Sequence, residues 1–221
     1  YLAQAGKKVL LLEKEAEVGG LVSGFARKGF WFDAGIRALE NSGIVRPMLT
    51  QLGIDIDFLP SPVSVGIGQD VVRLSGEESL ADYGALLARS FPASTADVAA
   101  IIAELRKVMD YMDVLYGIDN PLFLDLKGNP EYVYRTILPW LLKYTLTMPK
   151  VAKLGLPVER HLGTLTQDRA LLDLVAQHFF KETPAFFALS YFSLYLDYLY
   201  PRGGTAVLPA KLKALILAKG G

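Results

Sequence analysis

The sequence predicts an α/β chain: a strand-based domain over residues 1–60 and 196–221, interrupted by a mainly helical α+β segment over 61–195. Three observations lead there. An apolar run, Val9-Leu10-Leu11-Leu12, ends on Glu13 and is followed by Gly19-Gly20, the pattern of a buried parallel strand leading into a loop with bare backbone. Pro60-Ser61-Pro62 marks a boundary. Beyond it apolar residues recur at helical spacing, most clearly from Ser94 to Tyr116, with Val98, Ile101, Ile102, Leu105, Val108, Met109 and Met112 on one face.

The elements follow in order. Residues 1–8, YLAQAGKK, read as the last turns of a helix ended by Gly6. Leu21–Ala26 and Phe30–Phe32 form a hairpin-like stretch turning at Arg27-Lys28-Gly29. Asn41 or Ser42 caps a helix that stops at Gly53, with Leu49 and Leu52 facing inward. Ile54 to Leu59 alternates with period two and reads as a strand. Val63–Ile67 and Val71–Leu74 pair through Gly68-Gln69-Asp70, which makes Gly66-Ile67-Gly68 part of a hairpin rather than a phosphate loop. Ser94 and Asp97 suggest a cap related to the capping box. Asp168 precedes an apolar face of Leu171, Leu172, Leu174 and Val175. Thr183 caps a last helix with Pro184 at its first position. That helix is apolar nearly all round, so it is expected to be buried or to border something greasy.

Composition excludes several chemistries. Lys+Arg and Asp+Glu are both 23, so no charge excess points to nucleic acid. The absence of cysteine removes disulfides, thiolate metal sites and thiol catalysis. His161 and His178 stand too far apart in sequence to suggest a metal site. The longest uncharged apolar stretch, Thr183 to Leu196, is 14 residues, against about 20 for a spanning helix. The middle of the chain offers no acid–base dyad, no Ser-His-Asp set and no carboxylate pair.

The N-terminal motif carries the chemistry. An acid at the end of a parallel strand accepts hydrogen bonds from the hydroxyls of an adenosine ribose, which is the role expected of Glu13, with Lys14 a solvated neighbour. Gly19 and Gly20 would let backbone approach a diphosphate, the competing reading being a plain turn. The order of strand, acid, double glycine, hairpin and Phe32-Asp33-Ala34-Gly35 resembles the second strand and following loop of the phytoene desaturase, carotenoid isomerase and retinol saturase group of FAD-dependent oxidoreductases. That group is related to the flavin amine oxidases. Tyr200-Pro201-Arg202-Gly203-Gly204-Thr205 resembles a second landmark of the same group.

The resemblance implies an incomplete Rossmann-like FAD-binding domain and a redox reaction carried by FAD on an apolar, isoprenoid or carotenoid-like small molecule. The expected reaction is desaturation, saturation or isomerisation of C=C bonds. The group's opening strand and GxGxxG loop have no counterpart here, so the chain reads as an internal fragment expected to hold FAD poorly and to be inactive by itself. Many relatives carry arginine after the glycine pair, where this chain has Leu21. Asp33, Gly35 and Ile36 fall where the group brings backbone N–H groups beside the flavin ring. Arg37 would sit near the flavin or lie on the surface, and Gly203 and Gly204 would approach cofactor or substrate or simply cap a helix. Residues 132–196 would shape the substrate channel. Two alternatives remain: an amine or porphyrinogen oxidase of the same superfamily, and a redox-inactive lipid-binding relative.

One further segment stands apart. From Tyr132 to Val158, 27 residues, Arg135, Lys143, Lys150 and Lys153 occur without an acid and with Trp140, Tyr144 and several leucines between them, while Pro139 and Pro149 are expected to break the run into short pieces. Such a pattern suits an interfacial membrane segment; a buried helix pair with exposed lysines is the other reading. A cytoplasmic protein with peripheral membrane contact through 132–158 is the resulting expectation.

Overall fold

The computed structural model describes residues 1–40 and 43–221, and the helix cap expected at Asn41 or Ser42 lies outside them. The chain divides into two compact units. One comprises Tyr1–Ser61, Asn120–Leu124 and Tyr198–Gly221; the other comprises Pro62–Asp119 and Asp125–Asp197. Helices and strands are mixed, as the α/β class requires, but every strand pairing among the described residues is antiparallel.

The first unit opens with a short helical turn that ends in a Schellman motif, Lys7 N–H to the Leu2 carbonyl and Gly6 N–H to that of Ala3, as the reading of YLAQAGKK predicts. The expected strand at Val9–Leu12 does not form: the segment is extended without a ladder, and Leu10, Leu11 and Leu12 are exposed. A parallel strand exists only through its neighbours, and no described strand lies against this one. The predicted hairpin does form, as β1 (Gly24–Arg27) and β2 (Phe30–Asp33), with Lys28 and Gly29 at positive φ in the turn. Strand β3 (Leu39–Glu40) follows, then α1 (Val45–Leu52), whose buried Leu49 and Leu52 face inward and whose end at Gly53 is a second Schellman turn. The period-two stretch from Ile54 becomes strand only at its end, as β4 (Phe58–Pro60).

In the second unit the hairpin β5 (Val63–Ile67) and β6 (Asp70–Leu74) turns through Gly68-Gln69. Helices α2 (Ser79–Ser90) and α3 (Thr95–Tyr116) follow. Six of the seven apolar residues expected on one face of α3 are buried; Met112 is partly so. The cap expected at Ser94 is absent. Its hydroxyl instead donates to Asp168 Oδ2 at 2.7 Å, and Asp97 accepts from the Thr166 hydroxyl at 2.7 Å. Tertiary partners have taken both groups from the local motif. Ser94→Ala is therefore expected to destabilise the chain by about 1 kcal/mol in chemical unfolding, through the tie to Asp168.

Residues 130–152 are one uninterrupted helical run: α4 (Pro130–Tyr132), a π turn (Val133–Ile137) and α5 (Leu138–Ala152). The prolines do not break it, contrary to expectation. Pro139 follows closely on the widened π turn, and Pro149 lies inside α5. Helices α6 (Val158–Leu162) and α7 (Arg169–Ala176) come next, and Asp168 caps α7 by accepting from the Ala170 and Leu171 N–H groups. The last long helix of this unit is α8 (Ala185–Leu196). Thr183 does not cap it; its hydroxyl donates to the Phe180 carbonyl. The core joins α2, α3, α6, α7 and α8, with Tyr83, Leu105, Leu162, Leu171, Leu189 and Phe192 among its fully buried side chains.

The chain then returns to the first unit as β7 (Tyr198–Pro201), which lies between β3 and β4 and pairs antiparallel with both, and ends in α9 (Val207–Ala218). This crossover brings residues 198–205 to the hairpin of residues 24–33.

Candidate functional site

The N-terminal motif and the segment after β7 meet at Asp33. Its Oδ2 accepts from the Tyr200 hydroxyl at 2.8 Å, and its Oδ1 accepts from both the backbone N–H and the hydroxyl of Thr205, each at 2.9 Å. Thr205 is fully buried. Partial burial pushes the Asp33 carboxyl up, but these hydrogen bonds, with the charge of Arg37, outweigh it and hold the group below the usual carboxylate range. The Tyr200 phenol is raised in turn, first by its bond to this carboxylate and then by burial. A carboxylate beside the turn that opens α9 also suits the positive end of that helix.

Gly204 shows why the turn needs glycine. Its φ is +92°, and a Cβ there would stand 3.3 Å from Asp33 Oδ1 and 3.4 Å from the Trp31 indole nitrogen. Gly203 has φ +93° and is exposed. The expected helix opening lies slightly later, at Val207.

The double glycine is equally specific. Gly19, at φ +121°, packs against Pro209 of α9, where a Cβ would come within 2.7 Å of the ring, whereas Gly20, at φ +54°, has open space before it. Gly20–Val22 form a short 3₁₀ turn, closed by Ser23. The Leu21 carbonyl accepts from Ile36 N–H at 2.9 Å and lies against Gly35, while its side chain is exposed. The Ile36 N–H expected to face a flavin ring is therefore committed within the chain. Asp33 likewise acts here through its side chain, as the tie to Thr205 and Tyr200. Arg37 is exposed and close enough to Asp33 to stabilise its charge.

Glu13 ends the extended segment 9–12 with its Oε1 accepting from the Lys14 and Glu15 N–H groups at 2.8 and 3.1 Å. That fixes an exposed carboxylate at the mouth of the loop leading to the glycines. Lys14 is exposed beside Glu15, 3.6 Å away. The exposed Glu13 carboxylate is an acceptor of the kind ribose hydroxyls require, and Gly20, unlike Gly19, leaves open backbone of the kind a diphosphate requires.

Sequence reasoning missed one titratable pair. His161 Nε2 lies 3.0 Å from Glu104 Oε1 in the second unit, with Lys107 on the same carboxylate. The partners are 57 residues apart on α3 and α6, so no local spacing announces them. No group of three or more His, Cys, Asp or Glu among the described residues could hold a metal ion.

Comparison with known proteins bears on this geometry. All-trans-retinol 13,14-reductase of Macaca fascicularis is 24% identical over 237 aligned residues, which take in 100% of this chain and 37% of that protein. The chain thus spans little more than a third of the length of that relative. No solved structure gives a significant match. The family model for flavin containing amine oxidoreductases matches residues 1–215, nearly the whole chain and both landmarks of the site. The chain belongs to the flavin containing amine oxidoreductase family.

Proposed function

We propose that this chain is part of an FAD-dependent oxidoreductase that acts on C=C bonds of an apolar, isoprenoid-like substrate. The observation that carries the reading is the Asp33 tie, which fastens the acid–glycine loop and the Gly203-Gly204 turn into one frame. In this reading the first unit is an incomplete Rossmann-like half-domain: Glu13 accepts from the ribose, Gly19 and Gly20 present backbone to the diphosphate, with Lys14 and Leu21 beside them, and Gly35, Ile36 and Arg37 border the ring. FAD, when bound, takes up or delivers hydride, and the protein supplies position and electrostatics.

The second unit offers an apolar surface for such a substrate. On α8 the exposed Phe187 and the partly buried Tyr191 and Tyr195 form edge-on ring contacts with Phe179 and His178, backed by the buried Phe192. Burial pushes the His178 imidazole down, so it is neutral at pH 7 and adds no charge to that surface. Similarity to a retinol reductase supports the substrate class. The family's description favours a second reading, oxidation of an amine, which a screen of amines against apolar polyenes separates from the first.

The test is an absorption spectrum of the purified full-length parent protein, before and after anaerobic dithionite. Flavin bands that bleach are expected, and Glu13→Gln should weaken FAD binding by about ten- to a hundredfold, the worth of hydrogen bonds to a charged acceptor. A protein that stays colourless after incubation with FAD would overturn the enzyme reading in favour of a redox-inactive lipid-binding relative.

A further inference from the structure

The helix α5 is apolar on two sides, one more than a helix that meets only water should show. At 100° per residue Trp140, Tyr144, Thr147 and Val151 share one side, and this is the side turned inward: Thr147 is buried, and the Trp140 indole donates to the Val114 carbonyl of α3 at 2.5 Å. The opposite side carries Leu138, Leu141, Leu142 and Leu146, exposed by 50, 49, 65 and 63%. Tyr134, in the π turn before it, is 70% exposed. A soluble helix normally puts such residues inward and its charges outward, and contiguous exposed apolar surface of this kind marks an interaction face.

The charges at the border of this stripe have one sign. Lys143 and Lys150 lie along one edge of it and Lys153 continues beyond its end, while no acid occurs between residues 132 and 158. Arg135, one turn earlier, is paired with Glu131 at 3.0 Å. Lys150 also reaches toward the Tyr111 ring, 6.0 Å away.

We propose that this face of α5 docks on an anionic lipid surface, with the leucines entering the boundary between headgroups and acyl chains and the lysines at the level of the phosphates. Charge selects that occupant over a second copy of the chain. Two-fold packing of this face on itself would set the same lysines against each other with no acid to answer them. The helix does not suit a spanning role: its Trp140 and Thr147 side is packed against the protein, and Lys143 and Lys150 fall within its length. No single helix among the described residues is long and apolar enough to cross a membrane. The inference does not depend on the flavin reading.

Flotation of the purified protein with vesicles tests it. Phosphatidylcholine vesicles are compared with vesicles containing about one third phosphatidylserine, at low and high salt. The protein is expected to float with the anionic vesicles and much less with the neutral ones, and high salt should weaken the association. Leu142→Ser with Leu146→Ser, both at exposed positions, should leave the circular dichroism unchanged and cut the bound fraction about tenfold or more; Lys143→Glu with Lys153→Glu should do the same. Failure to float with anionic vesicles, equal flotation with neutral ones, or full binding by the leucine variant would each overturn the proposal. So would a dimer in sedimentation that the leucine variant dissociates.

Discussion

Replacing Asp33 by alanine is expected to cost about 3 kcal/mol of stability, read as a lower denaturant midpoint. The magnitude follows from what the carboxylate holds: three donors, one of them a backbone N–H of the fully buried Thr205. Hydrogen bonds to a charged group are worth about 1.5–3 kcal/mol, and a buried donor left alone costs about 1–3. Asp33→Asn keeps an acceptor for Thr205 and should lose about half as much. The pH dependence has a fixed sign. The folded carboxyl titrates below its unfolded value, so its contribution is complete above the ordinary Asp range and disappears as pH falls from about 4 through the depressed folded value. Asp168, held down first by the Ser94 hydroxyl, adds to the loss in the same window. Stability that falls no less steeply in Asp33→Asn, or a midpoint unchanged in Asp33→Ala, would mean that the tie contributes nothing. On the proposed flavin reading, FAD binding by the full-length parent should weaken along with stability, because the Gly203-Gly204 turn and the acid–glycine loop would no longer share a frame.

That tie also shows where sequence reading stops. Both landmarks were legible as motifs, because a glycine pair after an acid and an FDxG sequence are local patterns. Their union was not, since Asp33 and Thr205 are 172 residues apart and the side chain has a structural use where only nearby backbone had been expected. The same limit explains Ser94 and Asp97, whose spacing fits a cap but whose partners, Asp168 and Thr166, come from a distant loop. Periodicity did better where burial alone decides: the faces of α1, α3 and α7 are as the spacing implies, because a 3.6-residue repeat leaves one side to cover. It failed at Val9–Leu12, where an apolar run signals a strand only if other strands flank it. The proline-punctuated stretch failed for another reason. A π turn before Pro139 is not written in composition, and with it the expected pieces become one rod carrying an outward leucine stripe.

Phe192→Ala should be the most damaging single truncation in the second unit, at about 3–5 kcal/mol. Phe192 is 2% exposed and its ring meets Tyr83 at 5.4 Å, Tyr195 at 5.6 Å and His178 at 6.2 Å. Removing it opens a cavity among these close-packed rings. Phe187→Ala on the same helix is the control: that side chain is 55% exposed and should change stability by no more than about 0.5 kcal/mol. A second readout separates packing from general damage. Burial holds His178 below the ordinary histidine value, so the unfolded chain binds more protons in mild acid and wild-type stability falls as pH drops through the unfolded value toward the folded one. With Phe192 gone, water reaches the imidazole, its titration moves back toward the ordinary value, and that part of the pH dependence shrinks. An NMR titration of His178 measures the shift directly. If the imidazole titrates unchanged in the variant, the ring cluster on α8 does not shield it, and α8 loses its claim to be an apolar wall suited to a polyene.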